Sequence, residues 1–255
     1  IVVYSEWDAF RQDAYHEHAW RYRDYVIQSL NEDNPYDQFV RKQLVGDEIA
    51  PEDPDARVAT GYFRLGLYEY NQRDLPGQWG DILNDITDTT GDVFLGLGMG
   101  CARCHDHKFD PILQRDYFRL QAFFANISFR DDVTLLTPDE LAEHERRQAE
   151  WEAATADIRQ QIAQLEAPYL DELEQVAVVK FPDDIKAIWY KPAEERTPYE
   201  QQIAYLIYRQ VLEEENKVAT KFNEEQKAQW EALRSQLAEF DHLRPAPLPQ
   251  APTVT

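Results

Sequence analysis

Leu141, His144, Gln148, Trp151, Thr155, Ile158, Ile162 and Leu165 recur at alternating three- and four-residue steps. That spacing places all eight on one stripe of a long helix, and a second helix must cover the stripe. The intervening residues are dense in Glu, Gln, Arg and Ala, which suit a helix with a solvated outer face. A second arm runs from Tyr199 to Phe240, carrying Ala204, Ile207, Val211, Val218 and Phe222, then Trp230, Leu233, Leu237 and Phe240. Between the arms lies a stretch punctuated by Pro168, Pro182, Pro192 and Pro198. The reading is an antiparallel helical hairpin over residues 131–243 that extends from a first domain, residues 1–130. Self-packing accounts for its seam, and a protein partner for the arm is the alternative.

The first domain also reads as helical, so the fold class is mainly α. Ala19 to Leu30 sets Trp20, Ile27 and Leu30 against Arg21, Arg23 and Asp24 at helical rather than strand period. Asn34-Pro35-Tyr36-Asp37 supplies a cap, a first-turn proline and an acid; Phe39, Val40 and Leu44 then form a stripe, with Gly46 as the stop. Residues 47–60, with Pro51 and Pro54, read as a loop, as does the region of Asn71, Pro76 and Gly77. From Trp79, the residues Ile82, Ile86, Val93 and Leu97 recur at near-helical spacing, interrupted by Gly96, Gly98 and Gly100. Asp110-Pro111 opens a further helix with Leu113, Tyr117, Leu120 and Phe124 on one stripe.

Between these two helices stands Cys101-Ala102-Arg103-Cys104-His105, which holds the chain's two cysteines. Cys-x-x-Cys-His is the attachment sequence of a c-type haem. Helical spacing puts Cys101, Cys104 and His105 on one face, so the two thiols form thioethers while the imidazole is the proximal iron ligand. A disulfide or thioredoxin-like pair uses the same cysteines, but the flanks lack a βαβ pattern and the adjacent histidine stays unexplained. Zinc is the stronger rival, with Cys101, Cys104 and His107 as three ligands and a distant His or Asp as the fourth.

For a second iron ligand His18 and His16 come first, because they stand on another segment near Trp20. His107 lies about 200° around a helix from His105 and does not naturally reach the same iron. Met99 is too close to Cys101, and His144 and His242 belong to the helical arms. Arg103 is the first candidate partner for a haem propionate, with Lys108 beside it. No Ser-His-Asp set, phosphate-binding glycine loop or calcium loop stands out.

Forty-eight acidic residues against 26 basic ones leave a formal charge of -22. That balance excludes docking on nucleic acid or anionic lipid and suits a basic redox partner. No apolar run approaches the ~20 residues of a membrane span. The chain begins with Ile1 and reads as a processed or excised piece. Residues 244–255, with Pro245, Pro247, Pro249 and Pro252, read as a proline-rich linker toward a further domain.

The run Asp92-Val-Phe-Leu-Gly-Leu-Gly-Met-Gly-Cys-Ala-Arg-Cys-His-Asp-His-Lys-Phe-Asp-Pro-Ile112, with Gln114 to Phe124 behind it, resembles a secreted cytochrome-c-like domain family of unknown function abundant in planctomycetes. Trp20 to Ile27, Asn31 to Phe39 and Lys191 to Gln202 are similar to its other blocks. Residues Leu65 to Asn71 depart from it, since an Asn-rich stretch is common there. The resemblance implies an exported, periplasmic or extracellular, multidomain haem protein with an adjacent cytochrome domain. Covalent attachment completed outside the cytoplasm implies the same compartment. Electron transfer within such a protein, or to a redox partner, is the leading expectation for a single haem c. A peroxidase-like or oxidative haem enzyme with an open sixth iron position is the second, and a zinc-stapled interaction module the third.

Overall fold

The computed structural model describes residue 7, residues 15–66, 68, 69 and 72–255. Ile1 and Asn71, on which two of the expectations above fall, lie outside the described residues. The architecture is mainly α: nine α-helices and one two-stranded sheet among the described residues. Two compact units divide it, one formed by Ile1–Val133, Ala187–Leu206 and Gln250–Thr255, the other by Thr134–Lys186 and Ile207–Pro249.

In the first unit, α1 (Trp20–Asn31) buries Tyr22, Tyr25 and Ser29, while Ile27 and Leu30 are exposed. The expected stripe is therefore replaced by a tyrosine face. Tyr22 donates to Oε1 of the fully buried Gln43 at 2.5 Å, and Gln43 donates to the Phe39 carbonyl at 3.1 Å. The paired hydroxyl lets Tyr22 take a position that an aliphatic residue was expected to fill, while Tyr25 is held by packing parallel to the Phe39 ring, its hydroxyl buried without a hydrogen-bond partner among the described residues. Burial holds the Tyr22 phenol neutral by pushing its pKa well above the ordinary value.

Gly46 does not end α2 (Tyr36–Ile49), which continues past a non-helical Val45 and buries Gly46. The region expected as loop holds α3 (Pro54–Ala59), where Asp53 accepts from the Asp55 amide at 3.0 Å and Pro54 stands in the first turn. Pro76 and Gly77 likewise lie inside α4 (Leu75–Thr90), whose first turn is capped by Asp74 at 3.0 Å from the Gly77 amide. In both places a proline read as a breaker is a first-turn residue behind an aspartate cap.

The last residues are not a free polyproline tail. β2 (Thr253–Val254) pairs antiparallel with β1 (Phe129–Arg130), Phe129 opposite Val254, and Ser128 and Thr255 exchange backbone hydrogen bonds of 2.8 and 3.0 Å. Ala251, Thr253 and Val254 are buried. Arg64 ties this corner together. Its buried guanidinium donates to the carbonyls of Arg130 (2.9 Å) and Thr253 (3.3 Å), to Asp131 (2.7 Å) and to the Tyr205 hydroxyl (2.8 Å). It also lies 4.6 Å from the Phe129 ring centre. Local strand propensity in two residues is negligible, so these long-range partners are what hold the ladder.

The second unit confirms the stripe that dominates the sequence. α6 (Pro138–Val178) buries Trp151 and Thr155 and half-buries the stripe's other six members, while most residues between them are exposed. α9 (Glu224–Ala238) covers it in antiparallel sense. Trp230 donates to Glu166 at 2.7 Å, Tyr169 donates to Gln226 at 2.8 Å, and Lys221 meets Glu172 at 2.9 Å. Partners descend along one arm as they rise along the other. The second arm is not continuous: α8 (Pro198–Glu215) ends before α9, which starts at a reciprocal cap between Asn223 and Gln226. α7 (Asp183–Tyr190) precedes them. Residues 187–206, expected within the hairpin, belong to the first unit, where Gln202 donates to the Ala125 and Ile127 carbonyls.

Pro168, expected between the arms, stands exposed inside α6. A proline there forgoes a backbone hydrogen bond and crowds the preceding turn. Pro168→Ala is expected to stabilise the second unit by about 2 kcal/mol, read from the denaturant midpoint of helix loss by circular dichroism. An unchanged or lower midpoint contradicts an unbroken helix through residue 168.

Candidate functional site

The Cys-x-x-Cys-His segment is positioned by what precedes and follows it. α4 runs into a wide turn, Gly91–Leu95, and the chain leaves it at Gly96 with φ 64°, a left-handed conformation that glycine adopts without strain. The Leu97 amide returns to the Gly91 carbonyl at 3.0 Å. A Cβ at Gly91 would stand 2.8 Å from Met99 Cγ, so the glycine there makes room for the Met99 side chain. Met99–Arg103 then forms a tight 3-10 turn packed on α4 and on α5 (Gln114–Phe124).

A three-residue repeat explains which side chains face outward, because positions three apart eclipse one another in such a turn. Met99 and Ala102 point inward and pack with Tyr117, Ile112 and Leu120. Cys101 and Cys104, also three apart, are both exposed, both free thiols and unbridged. The turn is not the α-helical face that the sequence suggested, yet it brings the two cysteines to one edge all the same.

His105 follows them and is exposed, with Nδ1 2.8 Å from the Asp106 carbonyl oxygen. A carbonyl only accepts, so this assignment puts the proton on Nδ1 and leaves the Nε2 lone pair free. That is the arrangement of a metal-ligating imidazole, whose second nitrogen is fixed by a backbone carbonyl.

His107 is built the other way round. Its Nδ1 accepts from the amides of Asp110 (2.9 Å) and Phe109 (3.3 Å), while its own amide donates to the Ile112 carbonyl at 2.8 Å. Nδ1 also lies 3.2 Å from an Asp110 carboxylate oxygen, but two amides pointing at one nitrogen identify it as an acceptor. The proton then sits on Nε2, and neither nitrogen offers a lone pair to a metal. His107 closes the loop between the motif and α5. His107→Ala is expected to reduce hydrogen-exchange protection of the Phe109 and Asp110 amides by about tenfold, with His107→Asn restoring part of it; equal protection in all three proteins contradicts the assignment.

The other candidates lie apart from the motif. His16 lines a narrow cavity with Ala19, Tyr22, Gly61, Arg64 and Pro252. His18 is half-buried at the start of α1, its carbonyl accepting from Arg21 at 3.2 Å. His144 Nε2 is 3.0 Å from the Ala246 carbonyl, and His242 Nδ1 is 3.0 Å from that of Glu239. Arg103 is half-exposed with Nη1 3.9 Å from Asp88, close enough for attraction and loose enough to turn toward another anion. Among the described residues no group of three or more His, Cys, Asp or Glu side chains is disposed to hold a metal ion, so Cys101, Cys104 and His107 do not assemble a zinc set.

Sequence reasoning passed over two residues that the structure places on the motif. Gln114 donates through Nε2 to the Arg103 carbonyl at 3.1 Å and through its amide to Asp106 Oδ1 at 2.8 Å. The only signal was an aspartate beside the motif and an amide side chain at a helix start. Large apolar side chains stand exposed on the same elements: Leu95, Leu97, Phe109 and Phe118, with Phe109 84% exposed.

No helix among the described residues is long and apolar enough to cross a membrane. No curated protein and no solved structure matches the chain. Residues 1–129, which include the whole motif and α5, match the family described as "PSCyt2: Protein of unknown function (DUF1549)". The match covers half of the chain and takes in the blocks from Trp20 to Phe124 that carried the resemblance, Lys191 to Gln202 lying outside it: the chain belongs to the PSCyt2 (DUF1549) family.

Proposed function

We propose that this chain is an exported c-type haem domain that passes electrons, either within a larger protein or to a basic redox partner. The observation that carries the reading is the pairing of two free, outward-facing cysteines on one edge of a turn with a histidine whose Nε2 lone pair is free. Cys101 and Cys104 would hold the haem through thioethers, and His105 would ligate its iron. Bound there, the group supplies one-electron redox chemistry.

What the chain contributes is attachment, orientation and access. The inward-facing Met99 and Ala102 fix the turn on α4 and α5. The Asp106 carbonyl sets the His105 tautomer and raises the basicity of its free nitrogen. Arg103 is a half-exposed cation beside the motif that could pair with a propionate. The excess of acidic residues steers a basic partner toward the surface and repels an acidic one.

The test is expression in a host with periplasmic cytochrome maturation. The expected result is a purified protein with a haem absorption band that survives denaturation and shifts on reduction. Protein recovered soluble but without such a band overturns the proposal. Peroxide or cyanide then separates electron transfer from the enzymatic alternative: a carrier keeps its spectrum, and an open-site enzyme changes it.

A further inference from the structure

We infer that Gln114 and Asp106 are positioning residues that clamp the Cys104–His105 pair and hold the His105 ring in one tautomer, an inference that rests on the haem-ligand reading of His105. Arg103 and Asp106 are the residues on either side of that pair, and Gln114 binds both. Its side-chain Nε2 donates to the Arg103 carbonyl at 3.1 Å, and its backbone amide donates to Asp106 Oδ1 at 2.8 Å.

The clamp is anchored in regular structure. Gln114 is the first residue of α5, where the leading amides have no helical partner. Asp106 satisfies one of them from eight residues away, and a carboxylate at a helix start is favoured further by the helix dipole. α5 is itself fixed by the buried Tyr117 and Phe124, and Asp116 secures its entry by accepting from the Leu113 amide at 3.3 Å. The motif's two edges are thus referred to a rigid helix rather than to loop backbone.

Asp106 has a second bond, and it makes the clamp more than a fold contact. The carbonyl of the same residue accepts the His105 Nδ1 proton at 2.8 Å. Holding the Asp106 side chain therefore holds the carbonyl that orients the imidazole. Releasing it frees the ring to rotate and to exchange tautomers, which weakens the imidazole as a donor to iron and favours the reduced metal.

The experiment compares the full chain with Asp106→Ala, Asp106→Asn, Gln114→Ala and Gln114→Glu. Nitrogen-15 NMR of the histidines in haem-free protein reads the tautomer directly. Wild type is expected to show His105 with Nε2 unprotonated, Asp106→Ala a mixture of tautomers, Asp106→Asn the wild-type pattern because it keeps the acceptor, and Gln114→Ala and Gln114→Glu a smaller admixture, because they lose the side-chain bond to the Arg103 carbonyl and keep the backbone amide that holds Asp106. In haem-loaded protein the alanine variants are expected to retain covalent haem, Asp106→Ala to show a raised reduction potential and bind added imidazole about tenfold more tightly, and Gln114→Ala to move in the same direction by less. Circular dichroism confirms that the helices persist. A wild-type tautomer, potential and imidazole affinity in both alanine variants overturns the clamp. Failure of the haem reading is distinct: wild type then takes up no covalent haem, whatever its tautomer.

Discussion

Replacement of Arg64 by methionine is expected to lower the stability of the first unit by about 3 kcal/mol. Methionine fills much of the same volume but removes the guanidinium's bonds to the carbonyls of Arg130 and Thr253, to Asp131 and to Tyr205, leaving the strand pair to its own ladder and the Thr60 hydroxyl. Asp131 is about half exposed and can return to water, so the loss comes from the carbonyls, the Tyr205 hydroxyl and the stacked Phe129 ring rather than from a stranded charge. Arg64→Lys keeps the charge but has neither the planar fork nor two spaced donors for the carbonyls, and it is expected to recover less than half of the loss. Urea unfolding followed by circular dichroism measures both. A methionine variant within about 0.5 kcal/mol of wild type, the ordinary range of surface substitutions, contradicts the role given to Arg64.

Replacement of His105 by alanine has the largest expected effect on function. On the proposed haem reading Cys101 and Cys104 remain, so covalent haem should be retained while the proximal ligand is lost. The spectrum is expected to change to that of iron lacking a strong protein ligand, and added imidazole is expected to restore it. His107→Ala is the control, because His107 spends its Nδ1 on two loop amides; its spectrum should match wild type. A reversed pattern, with His107→Ala spectrally altered and His105→Ala normal, contradicts the assignment of lone pairs in this loop.

Much of the fold was legible in the chain because periodic burial leaves a pattern in sequence. The stripe from Leu141 to Leu165 is covered as its spacing required, since a 3.6-residue helix facing one partner has no other way to bury it. The tyrosine face of α1 was not legible. Ile27 and Leu30 are the more apolar residues, and only the distant Gln43, Ser29 and neighbouring rings make Tyr22 and Tyr25 the buried ones. The strand pair Phe129–Arg130 with Thr253–Val254 was hidden for a related reason. Two residues carry no period, and their pairing depends on Arg64 and on Thr60, whose hydroxyl accepts from Val254 at 3.3 Å. Proline misled in both directions: Pro54 and Pro76 open helices behind aspartate caps, whereas Pro168 sits within one.

The candidate site was legible as a cluster of cysteines and histidines and not in its geometry. Cys101, Cys104 and His105 are marked by their residue types and spacing. The distinction between His105 and His107 lies in which hydrogen bond each Nδ1 makes, and nothing in the string His105-Asp106-His107 encodes that without the turn that precedes it and the helix that follows.

The central claim is covalent haem at Cys101 and Cys104, and the mass of the denatured protein tests it most directly. Wild type matured in a competent host should gain the mass of one haem, Cys101→Ser and Cys104→Ser should each lower the yield of adduct sharply, and the double variant should carry none. Wild type at its bare polypeptide mass, or an adduct that persists in the double variant, would contradict the account.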